Sequence, residues 1–389
     1  LTDLGEHRFK ITVVAPNERF SLRANTVSEP FAAGHHADVA SLADVAREHG
    51  AELVRGTVTD VDTRKLAVLC SDGEELSADA LVLSPGARAR PAYAHALTFG
   101  LGDPLALNGV LADLEQGYST SVAFVVPPGV VWSLPLYELA LMTARQVYGS
   151  GRDVDLHLAT PEPAPLAIFG PEASASVAGL FDELGIALHC GMPVAVGRGS
   201  IRIGPDDDGL AMDRIVSLPV LDGPCLPGVP ATTGGFIAVD EFCRVPGLPG
   251  VYAIGDATDL LVKQGGLACQ QADVVARHIA HEAGAPHEAE PFLPVLRGRL
   301  LTGGAEQFLR RDLQDVHGEV QEDALWWPPA KVYGHYLGPW VATQQLGHLP
   351  VEPTPSPPAG IDVEIPLQRE HWLGPRALLG LDPLGALHS

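Results

Sequence analysis

A short apolar run, Val251-Tyr-Ala-Ile254, stops abruptly at Gly255-Asp256, and a helical pattern over Gln270–Ala283 follows. A continuous apolar run of this length reads as a strand buried on both faces, as in a parallel sheet. Glycine at its end permits close approach of the backbone to another group. Asp256 offers a carboxylate to sugar-like hydroxyls, and the helix that follows turns its positive end toward the same place. The string therefore calls for α/β layers with a ligand lying across the carboxyl end of a strand.

The rest of the chain agrees with that architecture. Arg8–Ala15 reads as a strand, Val39–His49 as a helix and Ala51–Val54 as a short strand. Gly56–Val61 and Leu66–Cys70 alternate like a hairpin, and Ala80–Leu83 is another buried strand that ends at Ser84-Pro85-Gly86. A second unit begins near Ser119, with strands at Val122–Val126, Asp153–Ala159, Ile186–His189 and Ile201–Ile203. Its helices are expected at Leu136–Tyr148 and from Gly170-Pro171-Glu172, where proline suits a first helical turn. Phe236–Val239 reads as a strand leading into the Val251 run.

Composition sets limits. A chain of 389 residues suggests about two or three domains. With 48 acidic against 25 basic residues its formal net charge is −23, a field that repels nucleic acid and anionic membrane surfaces. The five cysteines (Cys70, Cys190, Cys225, Cys243 and Cys269) form no CxxC pair, which suits free thiols in a reducing compartment. The histidines, His35-His36, His278 and His281 among them, show no metal-ligand spacing, so no metal is expected. Ser121–Met142 is apolar apart from Glu138 and a few small polar residues, but Pro127, Pro128, Gly129 and Pro135 make it a buried strand, turn and helix rather than a membrane span.

The string Thr232–Asp259 (TTGGFIAVDEFCRVPGLPGVYAIGDATD) resembles the second FAD motif of the pyridine nucleotide–disulfide oxidoreductase superfamily. The resemblance implies two Rossmann-like FAD/NAD(P)-binding domains, the second inserted in the first, with FAD as cofactor and Asp256 on the flavin ribityl hydroxyls. Leu81–Arg88 (LVLSPGAR) looks like the segment where the chain leaves the FAD domain, which would bring Gly86, Ala87 and Arg88 past the cofactor. Gly56-Thr57-Val58 resembles the strand that meets the adenine, with Val58 as the contact. Lys263-Gln264-Gly265-Gly266 sits where relatives place residues beside the flavin ring, and a lysine there would stabilise negative charge on the reduced isoalloxazine. Val13–Gly34 resembles the second strand and following loop of sulfide:quinone reductases, flavocytochrome c sulfide dehydrogenases and type II NADH dehydrogenases. Altogether the likeness runs from about Arg8 to Ala283.

The pattern departs from that superfamily in three places. The opening strand and its GxGxxG loop, which would hold the pyrophosphate, are not in the sequence; Leu1–Leu4 reads as the end of the helix that follows such a loop. Where an acid normally ends the second strand and takes the adenosine ribose, this chain has Ala15 and Pro16, so backbone groups would have to hold the adenosine. In the second domain, Val125–Pro135 (VVPPGVVWSLP) replaces the nucleotide loop: Pro127 and Pro128 remove amide donors and Trp132 is bulky where a small residue is needed.

These readings imply an FAD-binding segment over 1–100, a degenerate NAD(P)-like domain over 101–228, the returning FAD segment over 229–290, a C-terminal region over 291–350, and a Pro-rich linker and tail over 351–389. The implied activity is electron transfer from a small reductant, sulfide among them, to a quinone or other acceptor. The alternatives are an NAD(P)H-dependent flavin oxidoreductase and a non-catalytic relative that binds a partner. Lys263 and Cys269 are the catalytic candidates, although Cys269 has no evident partner thiol and reads more readily as a small buried hydrophobe. The aromatic stretch Trp326–Trp340 serves either as packing over the flavin or as a quinone- or membrane-facing lip. The expected location is cytoplasmic, with peripheral contact at the inner face of the membrane as a variant of that reading.

Overall fold

The first parallel elements come as two separate pairs. Ile11–Ala15 runs parallel to Ala51–Arg55, and Leu81–Leu83 runs parallel to Val251–Ala253. Each pair is a sheet of its own among the described residues. The computed structural model describes residues 1–5, 8–31, 37–102, 105–205, 208–313, 315 and 317–350. The segment after Pro350 expected to form the linker and tail, and His35-His36, lie outside the described residues.

Seven helices are assigned among those residues: α1 (Thr2–Gly5), α2 (Leu42–Glu48), α3 (Ala106–Gln116), α4 (Leu134–Gly149), α5 (Pro171–Glu183), α6 (Gly265–Glu282) and α7 (Leu337–Leu346). An antiparallel meander, Val58–Asp62, Ala67–Cys70 and Glu75–Ser77, leads from the first parallel pair into the second. The chain then leaves through Arg88–Arg90, which pairs antiparallel with the returning strand Val220–Asp222. Between them lies a five-stranded parallel sheet in the order Leu97–Thr98, Arg214–Ser217, Ser121–Val125, Asp155–Thr160, Ala187–Cys190. This is the doubly wound layout expected for the inserted domain, reached by the chain earlier than Ser119, at Leu97.

Two local expectations are corrected. Val39–His49 is not one helix: Asp38–Ser41 is a strand against Arg19–Ser21, and α2 starts only at Leu42. The strand hydrogen bonds to Arg19–Ser21 outweigh the helical spacing of the apolar residues there. Phe236–Val239 is not a strand; it makes a single bridge, Ile237 to Thr258. Gly234 and Gly235, with Gly235 in the left-handed region at φ +79, turn the backbone away from a continuous ladder.

The Ser121–Met142 window folds as expected into strand, turn and helix. Val122, Ala123, Phe124 and Val125 are all 1% exposed or less, and α4 buries Leu136, Tyr137, Leu139, Ala140 and Leu141 completely. Each large side chain buried this way contributes roughly 1.5–3 kcal/mol. No helix among the described residues is long and apolar enough to cross a membrane.

A three-stranded antiparallel sheet, Val295–Leu300, Gln307–Asp312 and Glu319–Gln321, joins the two domains. Strand alternation gives its first strand two uses. Leu296 and Leu300 are fully buried in the core that includes α4. The backbone of the same strand is held by α6, where Gln270 donates to Val295 O at 2.9 Å and accepts from Val295 N–H at 2.9 Å. In the aromatic stretch several rings pack against the protein, while Tyr336 is exposed. Trp326 stacks edge-on against Phe308 at 5.0 Å, Trp340 meets Phe20 at 5.7 Å, and Tyr333 lies 4.6 Å beneath the Arg297 guanidinium.

Candidate functional site

The carboxyl end of Val251–Ala253 leads directly into Gly255 and Asp256, with Lys263, Gln264 and Gly265 a few residues further on. Ile254 is still extended, and Gly255 then turns at φ +69, a conformation that favours glycine. A Cβ added at Gly255 would stand 3.4 Å from the Ala268 side chain, so the turn lies tight against α6. Gln271 on α6 fixes it by accepting the Gly255 N–H at 2.6 Å. The Thr258 hydroxyl donates to Gly255 O at 2.9 Å and closes the turn.

Asp256 follows in that turn. Burial pushes its carboxyl up from the ordinary range, while the positive charges of Lys263 and Arg23 pull it down. Lys263 donates to Thr258 O at 2.5 Å and stands 3.8 Å above the ring of Phe236. Burial lowers its ammonium to about 8, against the opposing charges of Asp256 and Asp259. An acid and an amine therefore share one poorly hydrated corner.

The start of α6 completes the corner. The Gln264 side chain caps the helix, accepting from Leu267 N–H at 2.8 Å, and its amide donates to Arg297 O at 3.0 Å. Its own polar atoms are thus engaged within the protein. Ala268 N–H bonds back to Gln264 O, which, among the described residues, leaves the N–H groups of Gly265 and Gly266 as the open donors of the first turn. A side chain at Gly265 would crowd Val332, at 3.2 Å from an added Cβ.

Of the other predicted contacts, Gly86 follows Leu81–Leu83, the strand beside Val251–Ala253, whereas Ala15, Pro16 and Val58 lie in or next to other sheets. Gly86, at φ +73 with open space around it, leads through Ala87 into Arg88, which starts the ribbon to the second domain. Ala15 O accepts Gly56 N–H at 3.2 Å, and Pro16 O accepts from Arg55 at 3.0 Å. Val58 begins the meander opposite Cys70. Cys269 sits in α6 against Gly334, and burial followed by the charge of Asp273 pushes its thiol up to about 12. It remains protonated at neutral pH and is a poor nucleophile there.

Sequence reasoning missed two participants at this corner. Arg23, in the 3₁₀ turn Arg23–Val27, acts on Asp256. Phe236 supplies the ring under Lys263. Apart from these, the sequence reading also missed a buried ion pair between Lys331 and Glu138 of α4. Glu138 is fully buried; its Oε1 also accepts Leu301 N–H at 3.0 Å, while Lys331 donates to Arg299 O at 3.2 Å. Glu138 Oε2 has no hydrogen-bond partner among the described residues. Burial drives both groups toward their neutral forms, and each opposes that drive in the other. Lys331 also lines a cavity of about 50 Å³ with Asn25, Ser28, Arg299, Leu301 and Gln345. The available signal was Glu138 itself, a lone acid in an apolar window, which in a folded core demands a cation.

No family model matches the chain, and no curated protein matches it. Solved structures do match in fold. The sulfide:quinone oxidoreductase of Aquifex aeolicus is similar at 17% identity with a TM-score of 0.68, over 80% of each chain. A ferredoxin reductase from Rhodopseudomonas palustris is similar at 18% identity with a TM-score of 0.57, over 78% of this chain and 76% of that one. NDH2 from Plasmodium falciparum gives 15% identity and a TM-score of 0.50, over 64% and 59%. The expected fold, an α/β chain with parallel dinucleotide-type sheets, is the fold these oxidoreductases share.

Proposed function

We propose that this chain is an FAD-dependent oxidoreductase that passes electrons from a small reductant, sulfide being the first candidate, to a quinone or other acceptor. The observation that carries the reading is the Gly255-Asp256 turn, with its half-buried carboxylate set before the glycine-rich start of α6. These residues fit the flavin end of FAD: a carboxylate for ribityl hydroxyls, a glycine that lets the backbone approach, and open N–H donors at a helix N-terminus. Bound FAD would supply the capacity to accept and release electrons.

The protein's own groups have definable tasks. Asp256 would orient the ribityl chain by accepting its hydroxyl protons. The N–H groups of Gly265 and Gly266 would face the electron-rich edge of the ring, and Lys263 and Arg23 would supply positive charge beside it. Gly86 to Arg88 would border the cofactor, and Ala15, Pro16 and Val58 its adenosine end.

The fold likeness to a sulfide:quinone oxidoreductase supports sulfide and quinone as the first substrates to try. A quinone acceptor would place the protein at a membrane surface, on the cytoplasmic side in this reading. The test is anaerobic mixing of the whole purified protein with sulfide, followed by a soluble quinone. The reading expects flavin absorbance near about 450 nm that bleaches with sulfide and returns with quinone. A bound flavin that neither sulfide nor quinone perturbs would remove the donor and acceptor assignments.

A further inference from the structure

In a dinucleotide fold the ligand lies outside the carboxyl ends of the strands, with the pyrophosphate over the first loop and an acid past the second strand on the ribose. The five-stranded sheet keeps that strand layout, and at its carboxyl end the chain's own groups engage several of the positions a nucleotide would use. In the first loop, Val126 N–H is committed to Ala159 O and Val130 N–H to Pro127 O, while Pro127, Pro128 and Pro135 have no N–H to offer. The acid does stand past the second strand, as Glu162, just beyond Asp155–Thr160. Its Oε2 accepts from the hydroxyls of Ser133, Tyr137 and Thr160, each at 2.9 Å. Two of those donors come from the first loop and the start of α4, so the carboxylate that would hold a ribose instead ties the loop down. Pro161, Pro163 and Pro165 alternate around it and fix the backbone in place.

Beyond Glu162 the segment is joined to the C-terminal sheet. Phe169 is fully buried, 5.8 Å from the Trp132 ring, and its ring end fills the space that a side chain at Gly298 would need. Gly318 lies so close to Phe169 O that any Cβ there would overlap it. Arg311 donates to Ile168 O at 2.9 Å.

We propose that Glu162 is the specificity-determining residue that closes the second domain to pyridine nucleotides, and that the electron donor is for that reason not NAD(P)H. The inference deepens the reading of a small non-nucleotide reductant. Its test does not depend on flavin: ADP-ribose, which carries the recognition groups without the redox ring, is titrated into the whole protein alongside NADH and NADPH. Calorimetry should show no saturable binding of any of the three up to about 1 mM, the weak end of ordinary metabolite recognition. The carboxyl-carbon resonance of Glu162 should stay unmoved by ADP-ribose. Saturable binding of any of the three in that range, or a shift of the Glu162 resonance on adding ADP-ribose, overturns the proposal. A protein that binds neither ADP-ribose nor flavin would uphold the closure while defeating the flavoenzyme reading, so the two fail separately.

Discussion

Lys331 and Glu138, 193 positions apart in the sequence, form an ion pair in the interior, joining the C-terminal region to α4. A charge buried this deeply is tolerated only with its partner. Lys331→Ala should therefore destabilise the fold by about 3–5 kcal/mol, because it strands the Glu138 carboxylate. The double variant Glu138→Leu/Lys331→Met should recover most of that loss. Urea unfolding of the four proteins checks this; additive losses in the double variant would show that the two residues act independently.

Asp256→Ala should weaken FAD retention about ten- to hundredfold, the worth of one or more hydrogen bonds to a charged group. Flavin content after gel filtration reads the effect. Unchanged flavin content would place the ribityl contact elsewhere.

Lys263 gives a signed pH dependence. Its folded-state value, about 8, lies below the ordinary lysine value of 10.5, so between those limits the unfolded chain binds the extra proton. Stability then rises with pH across that window, and the cost of burying the charged amine is fully present below about 8. Relative to Lys263→Met, the wild-type protein should gain stability from about pH 8 to pH 10. A difference that is flat with pH would mean that the amine is not desolvated.

The glycine contacts at Phe169 make a paired prediction. Gly298→Ala collides with the Phe169 ring and Gly318→Ala with its carbonyl, each costing about 1–3 kcal/mol through overpacking. Shortening the ring by Phe169→Leu should relieve Gly298→Ala but not Gly318→Ala. Thermal unfolding of the single and double variants separates the two cases.

Thiol chemistry should single out Cys225, which is exposed, whereas Cys70 and Cys243 are buried. A disulfide reagent should modify one thiol quickly, and Cys225→Ser should abolish that phase. Cys269→Ser should leave flavin reduction by sulfide unchanged, since the Cys269 thiol stays protonated.

The local rules of sequence revealed the strands, the inserted domain and the turn at Asp256, because each is set by an apolar run and its terminating glycine or proline. They placed the start of α6 too late: Gly265 and Gly266 are poor helix formers that the Gln264 cap and the packing of Val332 hold in helical geometry. They read Val39–Ser41 as helix because its strand partner, Arg19–Ser21, lies well upstream in the chain. The Lys331–Glu138 pair and the inward turn of Glu162 depend on tertiary neighbours, and no spacing in the sequence encodes them. Glu138 and Glu162 were nonetheless visible as acids in apolar or proline-rich surroundings, where an unpaired carboxylate would be costly.

The most direct measurement is the FAD content of the whole purified protein, with Asp256→Ala as the comparison. The account predicts FAD bound near one per chain in the wild type and a large loss in the variant. Protein that is folded by circular dichroism, yet carries no flavin and takes up none when FAD is added, would contradict it.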